Sequence, residues 1–410
     1  MSKAVKAITS ARQMLRKLRR HGRYVPKILR YGTPRKIANI IMAEAELRLQ
    51  KTVLRCLPYY YIIDICNVCN LRCPLCPTGN TKIARKQDML TLDQYKGIFE
   101  KVKDYALVVS IYNHGEPFLN PDAFSIIEHT RQNRVGTNAS SNLTWPKPVD
   151  VSDIVRSGLD YLTVSLDGVT QENYEQYRVR GDVKDVFENM KALIAAKQAL
   201  KSKTPFVEWQ YIVFKHTEHE MDQARKLAEE IGVDLLRFVS PGVQPEDMHD
   251  KSLQEKWMPE NPLYWERNPA IVEQRGYLFD QPCYYLYRSM FIYTGGGVTP
   301  CCFAHDSNHD FGNILTHSVP EIWNNHKYRS ARMLFSKKRP SEPRLETLCD
   351  KCTVFRQDGA HLCGIRPAHE VFLEDRARAA AANVNTSGEE KEADLVEPVM
   401  DRKFNGGCAH

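Results

Sequence analysis

An α/β fold built on a parallel sheet, followed by a small cysteine-rich module, is what this sequence predicts, and three observations carry the prediction. Between Tyr59 and Val239, short β-rich runs alternate with helical stretches, the pattern of strand–helix–strand units in a parallel sheet. Eleven of the twelve cysteines fall in two groups, at 56–76 and 283–363, and only Cys408 lies outside them. With 410 residues, 42% apolar and 26% charged, the chain is long enough for a sizeable core in two or three domains.

Residues 1–56 are read as a basic helical extension. Apolar residues recur at helical spacing, Met14, Leu15 and Leu18, then Ile37, Ile40, Ile41 and Leu47, with Gly22, Pro26, Gly32 and Pro34 as breaks. Residues 1–55 hold fifteen Lys and Arg against Glu44 and Glu46, about +13 in a chain of net charge +7, which leaves the remainder at about −6. Such a segment suits peripheral contact with an anionic membrane surface or a phosphate-rich partner, or it packs as a solvated helix outside the main body. No stretch reaches the length of a membrane span, and the basic N-terminus lacks a signal peptide's apolar core, so a cytoplasmic protein is expected, peripheral to the membrane at most, with no nucleic-acid partner.

The alternation places six strands at 60–65, 107–112, 134–139, 161–166, 206–214 and 235–239, with helices at 93–103, 122–132, 151–157, 183–200 and 220–231. Six β/α units make a partial barrel, whose functional groups belong at the C-terminal strand ends. Strand alternation turns Tyr112 and Gln210 towards the barrel interior. Residues 241–282 hold six prolines, Trp257 and Trp265, and are read as a bridge between domains.

Just after the first strand stands Cys69-Asn70-Leu71-Arg72-Cys73-Pro74-Leu75-Cys76. Three cysteines within eight residues of a cytosolic chain imply a metal, whereas a disulfide framework would be spread more evenly over a shorter chain. Zinc would need Cys66 as a fourth ligand, and the short gap between the two pairs leaves little chain to wrap a tetrahedral ion. An iron–sulfur cluster bound by three thiolates keeps one iron open to an outside ligand.

This C-x3-C-x2-C spacing resembles the signature of the radical S-adenosylmethionine (SAM) superfamily. The resemblance implies a [4Fe–4S] cluster on Cys69, Cys73 and Cys76 whose open iron chelates SAM. An electron from a flavodoxin- or ferredoxin-type reductant would then cleave SAM to a 5'-deoxyadenosyl radical, which takes a hydrogen atom from substrate. Further stretches at strand ends match the family in the expected order. His114-Gly115-Glu116-Pro117 resembles the GGEP motif that contacts the SAM amino group, with His114 in place of the first glycine. Thr137-Asn138-Ala139 is close to TNG, and Ser165-Leu166-Asp167-Gly168 resembles the segment whose serine lies near the SAM ribose or carboxylate. Arg178 is implied as a partner of the SAM carboxylate. Taken singly, these tripeptides are also turn chemistry.

The radical SAM core is thus expected over 57–240, the bridge over 241–282, the second cysteine module over 283–366, and a C-terminal helix with a disordered acidic tail over 367–410. The second module resembles the SPASM domain, and more closely its single-cluster twitch relative. The resemblance implies an auxiliary [4Fe–4S] cluster on Cys283, Cys301, Cys349 and Cys352. The cysteine run of a two-cluster SPASM domain is broken, since the next cysteine after Cys352 is Cys363. A zinc knuckle is the other reading of Cys349 and Cys352, while Cys302 and Cys363 are expected as buried free thiols. A closed four-thiolate cluster suits electron transfer, so the expected reaction is oxidation of a hydroxyl-bearing carbon in a small, carbohydrate-like substrate. Modification of a ribosomal peptide and a non-catalytic electron carrier are the alternatives.

Overall fold

The computed structural model describes residues 25–242, 250–261, 264, 276–340 and 342–384. Helices α1 (Val25–Tyr31) and α2 (Pro34–Arg48) precede β1 (Tyr60–Ile63), after which come α3 (Leu92–Glu100), β2 (Val108–Ser110), α4 (Ala123–Gln132), β3 (Gly136–Ser141), α5 (Val151–Arg156) and β4 (Tyr161–Ser165). The barrel continues through α6 (Gln171–Tyr177), α7 (Val183–Ala199), β5 (Phe206–Ile212), α8 (Met221–Ile231) and β6 (Leu235–Val239). All six expected strands are present, and each pairs in parallel with the next. The helix starts follow local chemistry. Thr91 and Gln94 form a capping box on α3, Asp182 caps α7, and Gly232, at φ +82°, closes α8 in the left-handed conformation that glycine tolerates. Helix α6 falls in the 171–178 stretch, for which no helix is expected from periodicity.

The sheet does not stop at six strands. After helix α9 (Lys251–Trp257) and the turn α10 (Tyr285–Arg288), strand β7 (Ser289–Ile292) pairs in parallel with β1, Tyr60 opposite Ser289 and Ile63 opposite Ile292. Strands β8 (Gly297–Thr299) and β9 (Gly312–Asn313) follow antiparallel, so the order among the described residues is β6-β5-β4-β3-β2-β1-β7-β8-β9. The second cysteine module is therefore a continuation of the barrel sheet, and it covers an edge of β1 that would otherwise expose unpaired amides. Helices α11 (Val319–Trp323), α12 (His326–Met333) and α13 (Ala368–Val384) complete the described chain. The expected acidic tail beyond 384, and much of the proline-rich bridge, lie outside the described residues.

Tyr61, Ile63, Val164, Trp209 and Tyr211 are fully buried in the main core beneath the helices. Arg332 is equally buried. Its guanidinium lies 4.5 Å from the Trp323 ring centroid and 5.2 Å from that of Tyr328, and it donates to the carbonyls of Leu286 and Thr52. One cation thereby ties the N-terminal segment, β7's leading turn and α12 together.

Helices α1 and α2 close the N-terminal end of the barrel, opposite the cysteine loop. Lys36 Nζ donates to the carbonyl of Arg134 at 2.7 Å, Asn39 exchanges two 2.8 Å bonds with Leu57, and Glu46 accepts the amides of Arg55 and Cys56. These anchors correct the expected apolar seam. Ile40 and Leu47 pack inward, whereas Ile37 and Ile41 face solvent, because the surface that α2 meets is made of strand-end carbonyls and amides that need polar partners. The stretch around Met14, Leu15 and Leu18 lies outside the described residues.

Candidate active site

The loop after β1 gathers Cys69, Cys73 and Cys76. Burial pushes the thiols of Cys69 and Cys73 up to about 12, and repulsion among the three adds to the rise while Arg178 opposes it. Arg178 Nη1 donates to Cys73 Sγ at 3.9 Å, and its other nitrogens hold Asp167 at 2.6 Å, a pair almost entirely buried. Asp167 in turn accepts the Ile212 amide at 2.7 Å, so the arginine is fixed from strand β5 as well as from α6. Cys66 stands apart. Its thiol donates to the Val68 carbonyl at 3.4 Å, and its electrostatic neighbours are Asp64 and Glu116, not the other thiols. The four-cysteine zinc reading of this loop therefore lacks its fourth ligand.

Gly115 explains why the second motif sits where it does. Its φ is +95°, and a Cβ would stand 2.5 Å from the Cys66 carbonyl oxygen and 2.7 Å from that of Val68. The Glu116 amide donates to Val68 at 2.8 Å, so the turn is stitched to the cysteine loop. The Glu116 carboxylate, fully enclosed, accepts from Ser141 Oγ and the Asn142 amide at 2.8 Å and from Trp145 Nε1 at 3.3 Å. It locks the end of β3 against the loop. A Gly115→Ala variant is expected to lose about 1–3 kcal/mol of stability, read as a lower denaturant midpoint. An unchanged midpoint would show that the loop yields freely.

His114, standing where the family motif has glycine, is packed into the module boundary. Its ring stacks on Tyr293 at 5.7 Å and meets His305 edge-on at 5.2 Å, with Nε2 3.2 Å from the Tyr293 hydroxyl. The motif turn is thus braced by the second cysteine module.

Ser165 lies on the barrel interior, 3.2 Å from Ser140 Oγ. Asn138 is lower in the barrel and accepts from Lys27 Nζ of α1 at 2.7 Å. Sequence reasoning did not find Gly79, whose Cβ would strike the Cys73 backbone at 2.4 Å, or Asn142, whose amide nitrogen lies 3.9 Å from Cys69 Sγ. The Cys-Pro-Thr-Gly run signals the first as a turn, whereas nothing local signals the second.

Cys283, Cys301, Cys349 and Cys352 form the second set. Burial raises each thiol, and mutual repulsion raises Cys283, Cys301 and Cys349 further. Gln357, almost fully buried, donates to the carbonyls of Cys349 and Cys352 at 2.7 and 3.2 Å and so sets the turn between them. Cys363 has Arg344 and Asp350 as its neighbours and does not join the set. Cys302 is buried as expected, whereas Cys363 is partly exposed because it sits in the surface turn at 360–363. Buried thiols grouped this way, mutually repelling once ionised, fit a cationic group at their centre. Among the described residues no three His, Cys, Asp or Glu side chains converge at the range of a single ion. A multi-iron cluster asks for a wider ring of thiols than one zinc ion does.

Beneath the cysteine loop the barrel holds an open-sided cavity of about 540 Å³. Ser140 and Gln210 are among its upper lining, while α1 supplies Lys27, Arg30 and Tyr31 at its base. Arg30 and Tyr31 are held by Asp160 at 2.9 and 2.6 Å. On the wall, Arg237 Nε donates to Glu208 at 2.8 Å and its Nη2 to Gln210 at 2.6 Å, and Tyr161 donates to Glu208. Tyr112 borders this group, and its hydroxyl takes no hydrogen bond from the described residues.

A partial barrel with three thiols at its mouth and a closed four-thiol annex defines a SAM-dependent iron–sulfur enzyme. The comparisons agree: residues 63–228 match the radical SAM superfamily and residues 283–353 the SPASM iron-sulfur cluster-binding domain. The chain belongs to the radical SAM superfamily and carries a SPASM domain, with SAM and [4Fe–4S] clusters as its cofactors. It is similar to the AdoMet-dependent heme synthase of Methanosarcina barkeri, 27% identical over 164 residues, 40% of this chain and 45% of that protein. It is also similar to the mycofactocin maturase MftC of Mycobacterium ulcerans, 23% identical over 172 residues, 42% of this chain and 44% of that one. The chain spans under half the length of either relative. In fold it resembles SuiB of Streptococcus suis bound to S-adenosylmethionine, with TM-score 0.53 at 16% identity over 72% of each chain.

Proposed function

We propose that this radical SAM enzyme oxidises a hydroxyl-bearing carbon of a compact polar substrate, of sugar or cyclitol type, held in the barrel chamber. The observation that carries the reading is the chamber itself, which reaches Ser140 at its top, sets Glu208, Gln210 and Arg237 in an otherwise largely apolar wall, and has α1 at its base. Its volume suits a ligand of that size. When bound, the clusters supply the electron that breaks the SAM sulfonium bond and the acceptor for the electron that the substrate gives up.

The protein's own part is orientation, proton handling and exclusion of water. In this reading Arg178 faces the SAM carboxylate and Ser165 the ribose side. Glu116, its oxygens engaged elsewhere, holds the Gly115 turn so that backbone groups meet the SAM amino group. Asn138, bonded to Lys27, serves the chamber floor. With SAM and the clusters supplying the hydrogen and electron acceptors, the wall carboxylate Glu208, held by Tyr161 and Arg237, would take the hydroxyl proton of a substrate in the chamber.

A second reading, modification of a peptide side chain inserted from the mouth, is favoured by the relatives. One is a PqqA peptide cyclase, 22% identical over 115 residues, and SuiB is also solved bound to its precursor peptide SuiA. The test is anaerobic turnover of the reconstituted full chain with SAM and reductant against cyclitols, aminocyclitols and precursor-type peptides. A small-molecule product lighter by a pair of hydrogens is expected, matched one to one by 5'-deoxyadenosine, with KM raised about tenfold in Tyr112→Phe by loss of a hydrogen bond. Loss of hydrogen from a peptide alone would overturn the sugar reading.

A further inference from the structure

Helix α2 buries polar side chains and leaves part of its apolar set in solvent. Its buried positions are Lys36, Asn39, Ala43 and Glu46, whereas the arc facing solvent carries Ile37, Ile41, Met42 and Leu49, at the three- and four-residue spacing of one helix face. Leu29 on α1 and Val53 after α2 are exposed as well. Ile41 is 65% exposed, Leu49 60% and Val53 58%. Of the eleven large apolar side chains exposed among the described residues, six lie between 29 and 53, so the exposure is concentrated and not scattered.

The charge carried by residues 1–55 is strongly of one sign. Residues 1–55 carry fifteen Lys and Arg, and their two carboxylates are spent internally, Glu44 on Arg288 and Tyr59, Glu46 on Lys51 and the amides of Arg55 and Cys56. Arg30 and Arg35 pair with Asp160 and Asp104, and Lys36 is buried, while Arg48 and Arg55 remain exposed beside the apolar residues. A second copy of the chain docking here would bring the same cations against themselves. Residues 1–24 hold eight Lys and Arg and no carboxylate, so they too are like-charged with the face. The partner that fits is extended, apolar beneath and anionic on top.

We propose that the outward face of α2, with Leu29 and Val53, is a docking surface for an anionic lipid bilayer. The apolar side chains enter the headgroup boundary while the surrounding arginines and lysines meet lipid phosphates. Because α1 and α2 cover the N-terminal end of the barrel, docking on this face leaves the cysteine loop and chamber mouth turned away from the membrane. The inference does not depend on the substrate reading.

The test is sedimentation of the full chain with phosphatidylcholine vesicles, with and without about 30% phosphatidylglycerol, a content that gives a strongly anionic surface. Binding is expected to the anionic vesicles only and to weaken as salt is raised. The double variant Ile41→Asp/Leu49→Asp is expected to bind at least about tenfold more weakly, since two apolar side chains no longer leave water, with SAM cleavage unchanged. Both positions are exposed, so unchanged cleavage also confirms that the variant folds. Absence of binding to either vesicle, or binding that the double variant leaves intact, would overturn the proposal. So would a concentration-dependent dimer that the same variant dissolves, because a second copy would then occupy the face.

Discussion

Replacing Cys69, Cys73 and Cys76 together by alanine is expected to abolish formation of 5'-deoxyadenosine and to lower bound iron by about four per chain, the content of one [4Fe–4S] cluster. The loss should be complete because the three thiols stand alone: Cys66, the neighbour best placed in sequence to substitute, points its thiol at the Val68 carbonyl. The fold should survive. The loop is held by bonds that do not involve these thiols, including the Arg72 amide to the Val179 carbonyl and the Glu116 amide to Val68. Leu71, Leu75, Tyr177 and Trp257 pack around it in an apolar cluster. Removing buried thiols that repel one another as thiolates relieves a cost. Cleavage of SAM at the wild-type rate in the triple variant would refute the radical assignment for this loop, and retained iron would refute its ligands.

The second large effect is expected from Cys349→Ala/Cys352→Ala. Iron should again fall by about four per chain, while the first site, built from separate thiols, keeps its own. Slow SAM cleavage uncoupled from product should persist, and oxidised product should be lost, because the substrate radical has no route to give up its electron. Cys363→Ala, outside the four-thiol set, should change neither iron nor product. Zinc in place of the lost iron in the wild-type protein, or full product from the double variant, would remove the auxiliary site from the reaction.

Much of the site was legible because its chemistry is local in sequence. Cys69, Cys73 and Cys76 share one loop, Gly115 and Glu116 one turn, and the six barrel strands announce themselves by β-rich runs between helices. Gly115 was readable through its motif, and the structure supplies the reason for glycine: the chain approaches the Cys66 and Val68 carbonyls too closely for a side chain. Cys283, Cys301, Cys349 and Cys352 were readable as a group only through a family resemblance, since 69 residues separate the first from the last.

What the sequence by itself determined, then, is the order of strands and helices, the first cysteine loop and the basic character of the N-terminal segment. These depend on periodicity, spacing and composition, which operate over a few residues at a time. Only the tertiary structure decided that β7 would close the edge of β1, that His114 would be clasped by Tyr293 and His305, and that Lys27 would enter the barrel from below. It also turned Ile37 and Ile41 of α2 outward while Ile40 and Leu47 pack inward. An apolar stripe ordinarily turns inward, but the surface awaiting this helix consists of strand-end carbonyls and amides, and a buried polar group left unpaired costs more than an exposed isoleucine.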